Sequence, residues 1–199
     1  VALCAVVAVQ IAAGAYTADM GTTGDQAAHY VTALMLRDYL AGALGANPMR
    51  FAIDYYEHFP RVALGHWPPM FHATAAMVVL ALGRSVAVQI ALQAVILAAL
   101  CTATAMLVAR LRGRLAGAMA GLVVLAIPVV MFLSNAVMLD NFLALLSLAA
   151  MLAWARFAAT MDWRWSLAFG VLVSCAVLTK GNGYGLALVP LFHALLARR

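Results

Sequence analysis

Three ionisable side chains stand where an otherwise apolar sequence would least accept them. Asp140 lies in NAVMLDNFLALL, Lys180 in AVLTKGNGYG, and Asp25 follows a glycine-rich turn in GTTGDQAAHY. A carboxylate at the edge of an apolar helix is costly unless it faces protein or water, so Asp140 is a functional candidate. The alternative is an interfacial aspartate satisfied by water at a helix N-terminus, where the helix dipole favours it. Lys180, followed by two glycines that loosen the backbone, is a compact cation suited to hold a phosphate; it could equally snorkel to lipid headgroups. Asp25 has the chemistry of a general base or a metal-associated carboxylate, and also that of a plain first-turn acid or N-cap.

A second set gathers between residues 54 and 72. Asp54, Glu57 and His58 fall within IDYYEHF, with Asp54 and Glu57 or His58 on one helical face. The pattern suits a divalent metal ion, and suits a solvated polar face at least as well. His66 and His72 flank Trp67 and two prolines in GHWPPMFH, as ligands or as interfacial histidines. The three cysteines, Cys4, Cys101 and Cys175, lie far apart inside apolar runs and give neither a metal spacing nor a disulfide framework.

The elements that must position these groups follow from composition. Of 199 residues, 67% are hydrophobic and 10% charged, against roughly half and a quarter in soluble domains. A soluble fold could not cover so much apolar surface, so the expected class is an all-α integral membrane bundle. Apolar runs place about six spans, at residues 1–16, 86–109, 115–132 (kinked at Pro128), 136–154, 165–179 and 184–197. Segment 70–83 reaches only about 21 Å at 1.5 Å per residue, short for a crossing. If it does not cross, Arg110, Arg112, Arg114, Arg156, Arg164, Arg198 and Arg199 share the cytoplasmic side and Lys180 lies opposite; if it crosses, the positive-inside rule is inverted.

Residues 17–85 then form one long extracytoplasmic loop with helices lying along the membrane. Residues 25–44 have helical spacing, with Tyr30, Ala33, Leu34, Arg37 and Leu40 near one face and with Gly45 and Pro48 ending the run. Pro68-Pro69 fits the first turn of a further surface helix. Six of seven acidic residues and four of five histidines fall on this side, with Asp162 and His193 the exceptions. The net charge of +5 is carried between spans, not along a stripe, so nucleic acid is not an expected partner. A transporter or flippase with an outside ligand pocket predicts ionisable residues near mid-span, whereas these sit at span ends. A purely structural subunit leaves the one-sided gathering unexplained.

The order of these pieces resembles the GT-C-fold membrane glycosyltransferases that use polyprenyl-phosphate sugars, the lipid A aminoarabinose transferases and protein O-mannosyltransferases among them. GDQAAHY resembles that family's Asp-Glu-x-x-Tyr region; Asp25 matches its active-site aspartate, Gln26 stands where Glu is common and His29 where Arg often appears. GHWPPMF resembles the Pro-Pro surface segment, with His66 near an acidic or metal-associated position and Trp67 in place of a donor-contacting lysine of the aminoarabinose group. Asp140 matches the aspartate opening the fourth span, and Lys180 the lysine of Leu-Thr-Lys-Gly.

The resemblance implies transfer of a sugar from a polyprenyl phosphate to a hydroxyl of a lipid, glycan or protein, on the extracytoplasmic face of a bacterial inner membrane. Asp25, Asp54 and Asp140 are the implied catalytic carboxylates. Lys180 and Arg61 would hold the donor phosphate, with His66, Glu57, His58 and Asn182 beside substrate or a divalent metal ion. Residues 1–199 are expected to be the N-terminal part of such an enzyme.

Overall fold

The structure, a computed structural model, describes residues 1–18, 20 and 24–196. Asp19, Gly21, Thr22, Thr23, Ala197, Arg198 and Arg199 lie outside them. The described residues are helical throughout their regular structure, with no strand: α1 (Ala2–Ala12), α2 (Gly24–Gly42), α3 (Pro48–His58), α4 (Met70–Leu82), α5 (Val86–Arg112), α6 (Arg114–Ala126), α7 (Pro128–Ser134), α8 (Asp140–Thr160), α9 (Trp163–Val177), a 3-10 helix (Gly181–Ala187) and α10 (Leu188–Leu196).

Two helices, α5 and α8, are long and apolar enough to cross a membrane. α6 and α7 make a third span if taken together, bent by 66° at Ile127; Pro128 opens α7 and cannot donate to the turn before it. The expected count of six is not reached by helix length. α1 and α9 have 11 and 15 residues, and residues 184–197 are broken between the 3-10 helix and a nine-residue α10. The 3-10 helix takes in residues 184–187, the beginning of the span expected at 184–197.

α5 is the hub. Val6 of α1 packs on Ala94, Leu97, Ala98 and Cys101 of α5. α6 folds back on α5 so closely that a Cβ on Gly117 would lie 2.5 Å from the Ala105 carbonyl oxygen. α8 and α9 form a second hairpin around Ala150, Ala153 and Phe169. At the other end from these turns, Gln93 of α5 donates to the Met138 carbonyl at 2.6 Å, which brings the start of α5 to the start of α8. The α5–α6 turn with Arg112 and Arg114 and the α8–α9 turn with Arg164 therefore share the end opposite Asp140.

α2 packs against α4. Gln26, His29, Thr32, Ala33 and Met35 are buried, whereas Tyr30, Leu34 and Arg37 lie at the margin. α4 presents Phe71, His72, Ala75, Ala76 and Val79. Pro69 is the cap of α4 and Pro68 precedes it, one residue earlier than expected.

Candidate active site

Lys180 Nζ donates to Asp140 Oδ1 at 2.6 Å. The two partners stand at the open end of the α8–α9 hairpin. Asp140 is the first residue of α8, where the helix dipole favours a negative charge. Its approach is fixed by buried Leu139, by the bond from Gln93 to Met138, and by Asn141 donating to the Val130 carbonyl at 3.0 Å. Lys180 caps the 3-10 helix, its N–H bonded to the Ala176 carbonyl. Behind it Gly183 lies so close to α9 that a Cβ would sit 2.5 Å from the Ala176 carbonyl carbon. This glycine is a packing requirement, not the loosening element that the sequence suggested. The two side chains are 35% and 31% exposed, so the pair is open to a ligand while partly shielded from water.

The Pro-Pro segment borders this pair. Met70 N–H donates to the Leu178 carbonyl at 2.8 Å, tying the start of α4 to the chain two residues before Lys180. Trp67 stacks its ring 4.3 Å from that of His29 and 4.5 Å from that of His66. His29 also faces His72, with Nδ1 and Nε2 2.9 Å apart. Burial pushes the pKa of His29 down to about 4; Asp140 opposes this, while Lys180 and His66 add to it. Burial likewise lowers His72 to about 4, reinforced by His29 and opposed by a hydrogen bond to Pro68.

Asp25 lies in the first turn of α2, exposed, one helical turn before His29 and on the same face. A Cβ on Gly24 would lie 3.7 Å from Arg61 Nη1, so the Arg61 guanidinium stands against the same turn. Asp140, Lys180, His66, Asp25 and Arg61 thus fall into two neighbouring groups joined through His29. Asn182 is exposed in the 3-10 helix just after Lys180.

Asp54, Glu57 and His58 are exposed on α3. His58 Nδ1 bonds the Asp54 backbone carbonyl, a bond within one helix. α3 is tied to α2 through Tyr39 against Phe51 and through Tyr55, whose hydroxyl donates to Asp38. No three histidine, cysteine or acidic side chains among the described residues are grouped to hold a metal ion. The donor set considered from sequence, His66 with Glu57 and His58, is not among such groups.

Residues that sequence reasoning passed over complete the site. Gln10, fully buried in α1, donates to the Ser134 carbonyl at 2.7 Å and accepts from Tyr16 at 2.8 Å. With Gln93 and Asn141 it fixes the end of the bundle that carries Asp140. The signal was available: glutamine within an apolar helix must find a partner.

An apolar helical bundle with a shielded ion pair at one end, bordered by aromatic and basic side chains, defines an integral membrane protein with a polar site at a span terminus. Residues 62–198 match the family described as dolichyl-phosphate-mannose-protein mannosyltransferase, and the chain belongs to that family. It is thereby a membrane glycosyltransferase that uses a lipid-linked sugar donor. No curated protein and no solved structure matches the chain.

Proposed function

We propose that the chain carries the donor-phosphate site and the general base of a transferase that moves a sugar from a polyprenyl phosphate to an acceptor hydroxyl on the extracytoplasmic face. The Lys180–Asp140 ion pair carries this reading. A lysine ammonium has three donors and no acceptor; one is spent on Asp140, which aims the group, and two remain for phosphate oxygens. As the bond from the anomeric carbon to the phosphate oxygen breaks, negative charge grows on the departing polyprenyl phosphate, and a fixed cation stabilises it. The anomeric carbon forms its new bond to the acceptor oxygen, whose proton passes to the Asp25 carboxylate. Arg61, against the first turn of α2, supplies a second cation for the phosphate.

The choice of membrane face rests on the charge distribution. Arginines cluster at the α5–α6 and α8–α9 turns, at the end opposite Lys180, as short cytoplasmic loops require. α4 begins with Met70 bonded to the Leu178 carbonyl and leads into the start of α5 beside Met138, so both of its ends meet the Asp140 end of the bundle. That placement fits a helix lying along the membrane surface. A bacterial inner membrane, with a lipid, glycan or protein acceptor, is the proposed setting.

The test is transfer of radiolabelled mannose from a short polyprenyl-phosphate mannose, in membranes containing the full chain. Asp25→Asn is expected to abolish transfer while donor binding persists. Full activity in that variant would overturn the base assignment.

A further inference from the structure

An apolar groove at the arginine-bearing end of the bundle takes no part in the chemistry above. α1 packs on α5 through Val6, which meets Ala94, Leu97, Ala98 and Cys101. α6 lies on α5 so closely that a Cβ on Gly117 would sit 2.6 Å from the Ala109 Cβ. Between the three helices a cavity of about 640 Å³ remains, within the range of roughly 300–1,000 Å³ that ligand pockets occupy. Small residues keep it open: Ala5 on α1, Ala105 and Ala109 on α5, Ala118 and Gly121 on α6. Among the described residues, Arg114 is the one charged side chain that lines it.

Length and charge together say what fits. Along α6 the lining runs from Arg114 to Leu125, roughly 16 Å at 1.5 Å per residue, about half of a ~30 Å hydrocarbon core and so one leaflet deep. The groove is open at its side, where Met106 and Leu122 are 54% and 63% exposed. In a membrane that side meets lipid tails. A tail in the groove gains little over one in the bilayer, because both surroundings are equally apolar. The shape admits a tail, and charge selects the lipid. Arg110, Arg112 and Arg114 fall within five residues at the α5–α6 turn. The ion pairs among the described residues include none of them. The acid at that end, Asp162, accepts from the Arg164 N–H as the cap of α9. An apolar groove with an uncompensated guanidinium at one end is the complement of an anionic head joined to an apolar tail.

We propose that the α1–α5–α6 groove binds an anionic phospholipid of the leaflet at that end, with one acyl tail in the groove and the phosphate on Arg114. Arg110 and Arg112 add to the field that draws the phosphate. Basic pockets between spans select anionic head groups in this way. The groove lies at the end of the bundle opposite the Lys180–Asp140 pair, so the proposal stands apart from the donor-site reading.

The test offers the full chain in detergent equal amounts of phosphatidylglycerol and phosphatidylcholine and reads the retained lipid by native mass spectrometry. Wild type should hold one phosphatidylglycerol with a preference of about fivefold or more. Arg114→Gln should abolish the preference, and Arg114→Lys, which keeps the charge, should retain most of it. Ala118→Phe, which puts a ring into the groove from α6, should lose the bound lipid with its melting temperature held. Equal retention of the two lipids by wild type, or an unchanged preference in Arg114→Gln, overturns the proposal. A photoreactive phenylalanine in place of Ala118 reads the occupant directly. A covalent adduct with phosphatidylglycerol is expected; an adduct with another stretch of protein, or with phosphatidylcholine to the same extent, overturns the proposal.

Discussion

Lys180 Nζ and Asp140 Oδ1 meet at 2.6 Å across 40 residues of sequence. The contact joins the start of α8 to the exit from α9 and leaves both groups about one-third exposed. A pair placed so aims a cation more than it stabilises a fold, because partly solvated ion pairs contribute about 1 kcal/mol or less.

Removing the cation should therefore cost function before stability. Lys180→Gln is expected to lower kcat/KM for the lipid donor by about 100-fold or more, and Asp140→Asn to raise the donor KM about tenfold. The double variant should be no worse than Lys180→Gln alone, since the two act as one unit. Steady-state kinetics on the four proteins read this; additive losses would show that the residues work separately.

Gly183 and Gly181 make a matched comparison. A Cβ at 183 would meet the Ala176 carbonyl carbon at 2.5 Å and the Val177 nitrogen at 2.6 Å, whereas one at 181 meets nothing within 4 Å. The clash is with backbone, so no side-chain rotation relieves it. Gly183→Ala is expected to cost about 1–3 kcal/mol and to weaken donor binding by moving Lys180; Gly181→Ala should stay within about 0.5 kcal/mol of wild type. Thermal unfolding in detergent, with donor KM alongside, checks both.

The histidine pair predicts acid sensitivity. His29 and His72 have pKa values pushed down to about 4, chiefly by burial, from 6.5. Above pH 6.5 both states of the chain leave these rings neutral. Between 6.5 and 4 the unfolded chain takes up protons that the folded one refuses, so stability is complete above 6.5 and is lost as pH falls towards 4. Each unit of such a gap is worth about 1.4 kcal/mol per group. The groups around the pair are Asp140, which works against this loss, and Lys180 and His66, which deepen it. Melting temperature should fall from pH 6.5 to 4.5 in wild type and fall less in His29→Gln.

Asp38 predicts a purely structural lesion. It accepts from Arg37 at 2.6 Å, Arg84 at 2.8 Å and Tyr55 at 3.3 Å, binding α2, α3 and the turn before α5. Asp38→Ala leaves two guanidinium groups without their carboxylate. Limited proteolysis between α2 and α3 should quicken, at a cost of about 1–3 kcal/mol, with donor KM within about threefold of wild type.

The helical membrane class was legible because it is a property of composition and run length. Asp140 and Lys180 were legible because an ionisable group at the end of an apolar helix has few alternatives to a partner. Asp54, Glu57 and His58 looked equally suggestive in sequence. Helical spacing put them on one face but could not say whether that face meets the site, and α3 turns them to the exterior. The buried side of α2 was open for a related reason: helical spacing put Tyr30, Ala33, Leu34, Arg37 and Leu40 near one face, and only the packing on α4 shows that Gln26, His29 and Thr32 turn inward.

By itself the sequence determined that the chain enters a membrane, that its short-loop arginines and its lone lysine occupy opposite ends, and which side chains could do chemistry. These follow from transfer free energies and from positions along single helices. Only the tertiary structure decided that Lys180 reaches Asp140, that Gly183 is needed for contact and not for freedom, and that His29 and His72 meet. Those depend on packing between helices whose contacts are 40 and 43 residues apart. No local pattern encodes a distance between elements.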